Sequence, residues 1–540
     1  MAENKLYYGD NLDILRRYIA DESVDLVYLD PPFKSDQDYN VLFAEQDGTR
    51  SAAQIRAFQD TWRWDEGAVA AFEEAVRSDG RVAATMQAFH TMLGASDMLA
   101  YLSYMAPRLV QLRRVLKETG SIYLHCDPTA SHYLKLLMDS VFSPINFKAE
   151  IVWKRTDAHN DAKQGGKKFG RVHDIILYYS KSKDFVWNHQ YLPLPETTIE
   201  KWYRNVEEKT GRRYNKADLT AARPGGDTKY RWKGVLPPEG RYWAYSKKNM
   251  EKLEKEGRIV YSSSGRPYMK RYLDESRGVP LQDMWVDISM VRGIGKERLG
   301  YPTQKPLALL ERIIGASSNE GDIVLDPFCG CGTAIDAAQK LNRRWVGIDI
   351  THLAITLIKH RLHSAYGSAV AFDVIGEPVD QAGAKDLAAA DPWQFQWWAL
   401  GLVDARPVEQ KKGADKGVDG RLFFRDQEKG GLKQIVISVK AGTTGPAHVR
   451  ELRGVVEREG AAIGLLITMQ DFTRKMREEA ADAGFYESPG GTRHPRLQLR
   501  TVAELLEGQG LDYPRYAENV TFKKAPKAQL GGHTNEKLFN

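Results

Sequence analysis

The sequence predicts an α/β protein, because short apolar segments ending in polar residues alternate with helical patterns. Apolar runs at 24–30, 121–127 and 173–182 indicate strands, and the pattern from 98 to 117 predicts a helix. The stretch "GDIVLDPFCGCGTAIDAAQKLNRRWVGIDI", at 321–350, contains a complete strand–loop–helix–strand unit. Together these elements predict an open α/β sheet with helices packed on it.

The chain of 540 residues is too long for one hydrophobic core, so we expect two or three domains. The α/β pattern stops where Lys, Arg, Trp and Tyr become frequent, and it returns about a hundred residues later. A polar, Ala-rich segment then predicts a linker before a second, smaller α/β domain. We therefore expect a first α/β half at 1–184, an insert at 185–299, a second half at 300–380, a linker at 381–391, a separate domain at 392–517 and a flexible tail at 518–540.

Composition is typical of a globular protein, with 42% hydrophobic and 27% charged residues. No apolar run approaches the length of a membrane helix, and the first residues lack the form of a signal peptide. The three cysteines, Cys126, Cys329 and Cys331, provide neither a disulfide framework nor a metal-ligand set. We expect a cytoplasmic protein without a membrane partner, and the net charge of +6 permits a nucleic-acid partner without requiring one.

A rigid corner follows the first apolar strand, at Asp30, Pro31, Pro32 and Phe33. Proline lacks the N–H that a strand ladder needs, and it excludes the preceding residue from the helical region. The corner therefore holds an acid and an aromatic ring at the carboxyl end of a strand, the edge where open α/β sheets bind ligands. An ordinary strand-ending turn explains the tetrapeptide equally well when it is considered alone.

A glycine-rich loop follows the strand in "IVLDPFCGCGTA". Gly330 and Gly332 let the backbone approach a ligand closely, and the helix that begins after them favours negative groups. Asp349 ends the next strand, where a carboxylate can accept both hydroxyls of a ribose. The F-x-G-x-G spacing favours a nucleoside ligand without a pyrophosphate, and a dinucleotide site is the alternative.

With both motifs present, the chain resembles the S-adenosylmethionine-dependent amino-methyltransferases of DNA. The corner at 30–33 matches the catalytic motif of that family, and 328–332 matches its cofactor motif. "YPTQKPLALLERII" at 301–314 resembles the Lys-Pro cofactor motif, and "LYYGDNLDIL" at 6–15 resembles the Gly-Asp motif. The catalytic motif precedes the cofactor motif, as in the permuted β group, and the similarity covers about residues 5–365.

The resemblance implies a Rossmann-like methyltransferase sheet with a target-recognition region inserted at 185–299. It also implies S-adenosylmethionine as cofactor and double-stranded DNA as partner, with a homodimer as one oligomeric state to consider. The implied catalytic residues are Asp30, Pro31, Pro32 and Phe33. The implied cofactor-binding residues are Asp10, Thr303, Lys305, Pro306, Asp326, Phe328, Gly330, Gly332, Thr333 and Asp349.

The family's catalytic motif gives the corner a chemical role. Asp30 and the carbonyl of Pro31 accept the two hydrogens of an exocyclic amine, so that the nitrogen lone pair turns towards the methyl group. Phe33 stacks on a base that has left the duplex. Asp in the first position favours adenine N6 as the target, and cytosine N4 is the alternative.

The segment at 412–442, "KGADKGVDGRLFF…KQIVISVKAG", resembles Mrr-like restriction endonucleases of the PD-(D/E)xK superfamily. The resemblance implies that Asp419 binds Mg²⁺ and that Lys440 positions or activates water. Ser438 departs from the family pattern, because a serine is a poorer metal ligand than the usual acid. The domain is therefore expected to be either a Mg²⁺-dependent endonuclease or a module that binds DNA without cutting it, within restriction–modification or phage defence.

All methyltransferase motifs lie upstream of residue 390. We therefore expect the two domains to be independent, with methyl transfer surviving the removal of the second one.

Overall fold

The computed structural model describes residues 3–32, 64–78, 80–157, 167, 169–223, 225–291, 297–299, 301, 303–408, 417–427, 431–514 and 521–522. The chain divides into two compact units. The larger unit is built from Met1–Asn188 and Asp283–Leu530, and the smaller one is built on His189–Gln282. None of the described helices combines the length and apolar character needed to cross a bilayer.

The described residues of the first part of the larger unit form five strands and five helices. They are β1 (Asn4–Tyr8), α1 (Asn11–Tyr18), β2 (Val24–Leu29), α2 (Glu66–Ser78), α3 (Gly80–Leu93), α4 (Asp97–Val115), β3 (Leu116–Cys126), α5 (Pro128–Phe142), β4 (Phe147–Lys154) and β5 (His173–Ser180). Helices α4 and α5 pack on β2 and β3 and share the main hydrophobic core with them. The strands and the long helix predicted from the apolar pattern are therefore present.

The smaller unit consists of short elements around a small aromatic core. They are β6 (Tyr191–Leu192), α6 (Glu196–Trp202), β7 (Asn205–Val206), β8 (Arg213–Asp218), β9 (Thr220–Ala221), β10 (Tyr242–Trp243), α7 (Lys247–Lys255), β11 (Ile259–Tyr261), β12 (Pro267–Tyr272) and β13 (Val279–Pro280). Four of the strands form an antiparallel sheet in the order β11-β12-β8-β7. β8 and β12 have six residues each, but the other strands of this unit have only two or three, which explains why the sequence shows no persistent pattern here.

The chain then returns to the large sheet. The elements of this part are β14 (Met284–Trp285), α8 (Leu307–Ser317), β15 (Ile323–Asp326), α9 (Thr333–Lys340), β16 (Arg344–Asp349), α10 (His352–Tyr366) and β17 (Phe372–Ile375). The nine strands have the order β14-β4-β5-β3-β2-β15-β16-β1-β17. The predicted strand–loop–helix–strand unit is β15-α9-β16.

Parallel pairing determines where the functional groups lie. β2, β15, β16 and β1 are neighbours, and each pair among them is parallel. The carboxyl ends of these four strands therefore lie along one edge of the sheet. Each strand ends at or just before an acid, namely Asp30, Asp326, Asp349 and Asp10.

A second sheet forms the C-terminal domain, which we define as the elements from α11 to α15. These elements are α11 (Gln381–Ala390), α12 (Pro392–Gly401), β18 (Arg406–Pro407), β19 (Gly420–Arg425), β20 (Leu432–Lys440), α13 (Pro446–Arg458), β21 (Ile463–Thr468), α14 (Arg474–Ala481), β22 (Phe485–Glu487), β23 (Arg493–Pro495), β24 (Leu497–Thr501) and α15 (Val502–Leu506). Its five strands have the order β18-β19-β20-β21-β24. Alternating residues of β20 belong to different cores, with Ile435 and Ile437 in one and Val436 in the other. The domain is therefore an α/β sheet covered on both faces.

Two segments differ from their sequence-based description. Residues 381–391, expected to be a linker, form helix α11, and Ala384 is buried in the core of the C-terminal domain. Thr521 and Phe522, assigned to a flexible tail, are also buried. Only a few residues of these segments pack against the rest of the protein. A polar or Ala-rich composition therefore does not reveal in the sequence that the segments are ordered and partly buried.

We predict that Gly464→Ala destabilises the C-terminal domain by about 1–3 kcal/mol, because the added methyl group overpacks its core. A Cβ at Gly464 would lie 2.6 Å from Val456 Cγ2 and 2.9 Å from Leu497 Cδ2. The stiff valine side chain cannot turn away easily. Chemical denaturation monitored by circular dichroism measures the loss.

Gly454→Ala is the matched control, because a Cβ at this exposed position of α13 meets nothing within 4 Å. In a helix this change should stabilise by about 0.5–1 kcal/mol. Equal effects of the two substitutions would contradict the packing of β21 against α13.

Candidate active site

Backbone and side-chain hydrogen bonds join the end of β1 to the glycine loop, which we define as residues 327–332. The amide of Gly9 donates to the Asp349 carbonyl over 3.0 Å, and Asn11 Nδ2 donates to the Pro327 carbonyl over 2.8 Å. Asp10 caps α1 and forms an ion pair with Arg108, at 2.8 Å from Nη2 to Oδ2. The Gly-Asp segment therefore lies beside the end of β16 and the glycine loop.

The corner after β2 carries a charged pair. Asp30 forms an ion pair with Lys305, and both side chains are mostly buried, with 25% and 16% of their surfaces exposed. Pro31 is buried and Pro32 is half-buried, whereas Phe33 lies outside the described residues. Lys305, which the sequence assigned to the cofactor, thus contacts the acid of the catalytic motif.

The glycine loop needs glycine at two positions for steric reasons. Gly330 and Gly332 have φ values of +50° and +74°, in the left-handed region that L side chains rarely adopt. A Cβ at Gly330 would lie 3.2 Å from the Tyr301 ring, and one at Gly332 would lie 2.7 Å from Ile358. Gly332 immediately precedes α9, so the loop presents backbone N–H groups at the start of a helix.

Asp349 receives three hydrogen bonds within the protein. Gly330 N donates to Oδ2 over 2.9 Å, and the amide and hydroxyl of Thr351 donate to Oδ1 over 2.9 and 2.8 Å. Burial nevertheless raises the pKa of Asp349 to about 6. The carboxylate is fixed in orientation, and it retains acceptor capacity for further donors.

Asp326 is the most deeply buried of the four acids, with 3% of its surface exposed. Burial, together with the charges of Asp30 and Asp349, raises its pKa well above the usual value, and Lys305 opposes this shift. The amide of Phe328 donates to Asp326 Oδ1 over 3.0 Å. Asp326 therefore fixes the start of the glycine loop.

The other predicted cofactor residues lie at the ends of helices or near them. Thr303 and Phe328 are half-buried, Pro306 directly precedes α8, and Thr333 is the first residue of α9. Pairing of β15 with its neighbours brings these segments to the edge where the four acids lie.

Arg361 is a structural support that sequence analysis missed. Its guanidinium is buried and pairs with Asp336 over 2.8 Å. It also donates to the Cys331 carbonyl over 3.2 Å and to Thr333 Oγ1 over 3.1 Å. The sequence does contain a signal for this role, since Arg361 lies on a face of α10 that is otherwise apolar.

A buried polar chain lies behind the corner. Tyr28 Oη and His125 Nδ1 are 3.0 Å apart, and His125 Nε2 is 3.1 Å from Asp174 Oδ2. Although burial opposes it, the contacts of Asp174 with His125 and Arg155 lower the pKa of Asp174. His125 therefore connects three strands of the sheet, β2, β3 and β5.

Nothing in the described part of the endonuclease-like motif supports the Mg²⁺ site assigned to Asp419. Asp419 Oδ2 accepts hydrogen bonds from Ser438 Oγ over 3.1 Å and from the Val439 amide over 2.7 Å, and Lys440 Nζ lies 3.8 Å away. No group of three or more His, Cys, Asp or Glu side chains suited to a metal occurs among the described residues. Glu409, a further candidate acid, lies outside them.

Comparison with known families identifies the class of protein that this fold and site define. The N6/N4 methyltransferase model, described as DNA methylase, matches residues 24–360. This match covers more than half of the chain, which therefore belongs to the N6/N4 DNA methylase family. A second model, described as NACHT-associated inactive restriction endonuclease 1, matches residues 395–507 in the C-terminal domain.

Curated relatives belong to restriction–modification systems. The type II methyltransferase M.EcaI of Enterobacter cloacae is 33% identical over 285 residues, covering 52% of this chain and 61% of the relative. The Mod subunit of the type III enzyme StyLTI of Salmonella typhimurium is 29% identical over 370 residues, covering 63% and 51%. The chain thus spans less than two thirds of either relative. Among solved structures, the cytosine-N4-specific PvuII DNA methyltransferase has a TM-score of 0.34 at 12% identity, covering 66% of this chain and 86% of that structure.

We predict that Arg361→Met lowers the free energy of unfolding by about 3–5 kcal/mol, because Asp336 would be left as an uncompensated buried charge. Urea denaturation measures the change. Arg17→Met is the control, since Arg17 pairs with Asp13 on the surface and the two side chains are 67% and 48% exposed. That change should stay within about 0.5 kcal/mol, and equal losses in the two variants would contradict the importance of the buried pair.

Proposed function

We propose that this chain transfers a methyl group from S-adenosylmethionine to N6 of adenine in double-stranded DNA, as the modification enzyme of a restriction–modification system. One observation carries the proposal. The acid of the catalytic motif, Asp30, and the ribose-binding candidate, Asp349, end strands along the same sheet edge, on either side of β15 and the glycine loop. Family membership and the names of the curated relatives support the same activity.

The residues present fit the cofactor. The glycine loop offers a close backbone approach at Gly330 and Gly332, and Asp349 would accept the ribose hydroxyls. Phe328 and Asp10 border the same edge. When bound, S-adenosylmethionine supplies an electrophilic methyl group on a sulfonium centre.

The chain's own residues prepare the nucleophile. The lone pair of an exocyclic amine is delocalised into the base ring, which makes the nitrogen a weak nucleophile. Asp30 and the Pro31 carbonyl would accept the two N–H hydrogens, and the prolines hold these acceptors in place. Lys305 contacts Asp30 and orients its carboxylate before the base enters.

The choice of adenine rests on Asp30 in the first position of the motif. The smaller unit, which lies at 189–282 in the chain, would recognise the DNA sequence. Its surface places a cation beside an exposed aromatic ring, with Lys201 Nζ 5.4 Å from the ring of Trp202, which is 52% exposed. Such surfaces suit contacts with phosphates and bases.

DNA from cells that express the protein tests the proposal. We predict N6-methyladenine in the enzymatic hydrolysate of that DNA, detected by mass spectrometry, and none from cells that express Asp30→Ala. The variant should still bind S-adenosylmethionine, because Asp30 acts on the amine. N4-methylcytosine in place of N6-methyladenine would overturn the choice of base but keep the reaction class.

Asp127→Ala is the matched control for Asp30→Ala. Asp127 follows β3, the strand next to β2, and it caps α5 and pairs with Arg171. Methylation should persist in this variant. Loss of methylation in both variants would mean that the effect is structural rather than specific to the corner.

Cofactor affinity should depend on pH through Asp349. Ionised Asp349 accepts the ribose hydroxyls, and burial raises its pKa to about 6. Below that pH the carboxyl must lose a proton on binding, so the affinity should fall by about tenfold for each pH unit. Calorimetric titration with S-adenosylmethionine from pH 5 to pH 8 measures this. Asp349→Asn should bind more weakly with a flat pH profile, and an unchanged slope in that variant would assign the titration to another group.

We also propose that the C-terminal domain does not cleave DNA. The matching model describes an inactive endonuclease, and the Asp419 carboxylate is occupied by Ser438 and the Val439 amide. Ser438 stands where a second metal-binding acid would be needed. The domain is then a binding or structural module.

Unmethylated supercoiled plasmid should therefore remain intact when it is incubated with the protein and Mg²⁺, as judged by gel electrophoresis. Lys440→Ala should behave identically. Cleavage by the unaltered chain that disappears in Lys440→Ala would show that this domain is an active nuclease.

A further inference from the structure

Helix α10 contacts the C-terminal domain along one face. The His352 amide donates to Gln394 Oε1 over 3.2 Å, and His360 Nε2 is 2.9 Å from Asp404 Oδ1. Between them, a Cβ at Gly401 would lie 2.7 Å from Thr356 Oγ1, so the helices approach closely. Positions 352, 356 and 360 are four residues apart and lie on one face of the helix. The contact therefore runs along most of α10.

The adjacent face of α10 supports the glycine loop. Leu353 and Leu357 pack in a cluster that contains Cys331, and Arg361 donates to the Cys331 carbonyl. Ile358 fills the space beside Gly332. One helix thus contacts both the C-terminal domain and the proposed cofactor site.

Thr521 and Phe522 form a second contact between the C-terminal domain and helix α10. The Phe423 amide of β19 donates to Thr521 Oγ1 over 2.8 Å, which anchors the segment to the C-terminal sheet. Phe522 is 6% exposed and belongs to the same cluster as Leu357 and Cys331. Its ring stacks on His360 of α10, with 4.3 Å between the ring centroids.

The Phe522 cluster reaches the glycine loop through Tyr301. Tyr301 is buried in the cluster, and its ring lies 3.2 Å from where a Cβ of Gly330 would stand. Residues 297–299, 301 and 303–306 form the Lys-Pro loop, which leads from this ring to Lys305. Gln304 stabilises the loop, because its Oε1 accepts a hydrogen bond from the Leu299 amide over 2.8 Å.

Arg406 of the C-terminal domain also contacts the Lys-Pro loop. Its Nη2 donates to the Leu299 carbonyl over 3.2 Å, and its guanidinium lies 5.1 Å from the centre of the Phe522 ring. The C-terminal domain therefore contacts the Lys-Pro loop directly through Arg406 and the glycine loop indirectly through Phe522 and Tyr301.

We propose that Phe522 and Arg406 are positioning residues for cofactor binding, and that the C-terminal domain serves as a brace for the methyltransferase site. The brace keeps the Tyr301 ring against Gly330. It thereby holds the Lys-Pro loop and the glycine loop in the positions that the ligand requires. The part of the proposal that concerns S-adenosylmethionine rests on the proposed function. It also replaces the expectation that the two domains act independently.

Phe522→Ala in the full chain tests the brace. Phe485→Ala is the matched control, because Phe485 also lies beside an arginine, Arg493, at 4.7 Å, but it is 54% exposed on the far strand pair β22–β23. Hydrogen exchange is measured without ligand at the amides of Leu299, Gln304 and Gly330. Binding is measured by calorimetric titration with S-adenosylmethionine, and turnover is measured at saturating cofactor and DNA.

Phe522→Ala should accelerate exchange at these three amides and weaken cofactor affinity by at least about fivefold, the lower end of typical coupling between sites. The turnover rate at saturation should stay unchanged, since Phe522 touches neither the base nor Asp30. Phe522→Leu, which keeps apolar volume in the cluster, should recover part of the affinity. Phe485→Ala should change none of these quantities.

Unchanged exchange in Phe522→Ala would overturn the brace. So would a lower turnover rate with unchanged affinity, because the residue would then act on the chemical step. If Phe522→Ala unfolds at the assay temperature, Arg406→Leu provides the same comparison through the Leu299 contact. If the unaltered chain binds no S-adenosylmethionine, the proposed function is wrong. The exchange measurements alone then show whether Phe522 stabilises the two loops.

Discussion

The pairing of β2 with β15 is the constraint on which the candidate site depends. Only two registered pairs define it, Leu26 with Val324 and Val27 with Leu325. Because the strands are parallel, their carboxyl ends coincide, and Asp30 and Asp326 come together although about three hundred residues separate them. A one-residue shift would turn every side chain of β2 to the opposite face of the sheet. The corner and the glycine loop are thus positioned by the sheet itself.

This arrangement concentrates negative charge in a buried edge. The pKa of Asp326 and that of Asp349 are both raised, and Lys305 is the cation that contacts Asp30. Such a site is unfavourable for the ligand-free fold, because ionised carboxylates lose hydration there. A ligand that carries positive charge and hydrogen-bond donors would relieve that cost. Burial is the largest cause of both raised pKa values, and acids with raised pKa values on a ligand-binding sheet edge are typical of functional sites.

Much of this site could be predicted from the sequence. The strand-ending acids, the double proline and the glycine spacing are local signals, so β2, β15, α9 and β16 were predicted with their order. Contacts between distant residues leave no such signal. The pairing of Asp30 with Lys305 and the support of the glycine loop by Arg361 arise only when separate helices and strands meet. Phe522 is the clearest example of a contact that the sequence does not predict, because its buried ring lies in a segment of polar composition.

The C-terminal sheet keeps the acid and the lysine of the endonuclease-like motif close together, with Lys440 Nζ 3.8 Å from Asp419 Oδ2. Asp419 directly precedes β19 and Lys440 ends β20, and Ser438 Oγ and the Val439 amide both donate to Asp419 Oδ2. The same domain keeps a large apolar interior on both sides of its sheet.

The position of β1 has a consequence for how the chain folds during synthesis. β1 lies between β16 and β17, with Lys5 opposite Val346 and Leu6 opposite Val374. The ribosome makes β1 long before it makes either partner, so both edges of this strand stay unpaired while most of the chain is translated. Pairing over such sequence separations is slow, and unpaired strand edges favour aggregation. Completion of the large sheet is therefore a late event in synthesis, and β1 keeps unpaired edges until β16 and β17 have been made.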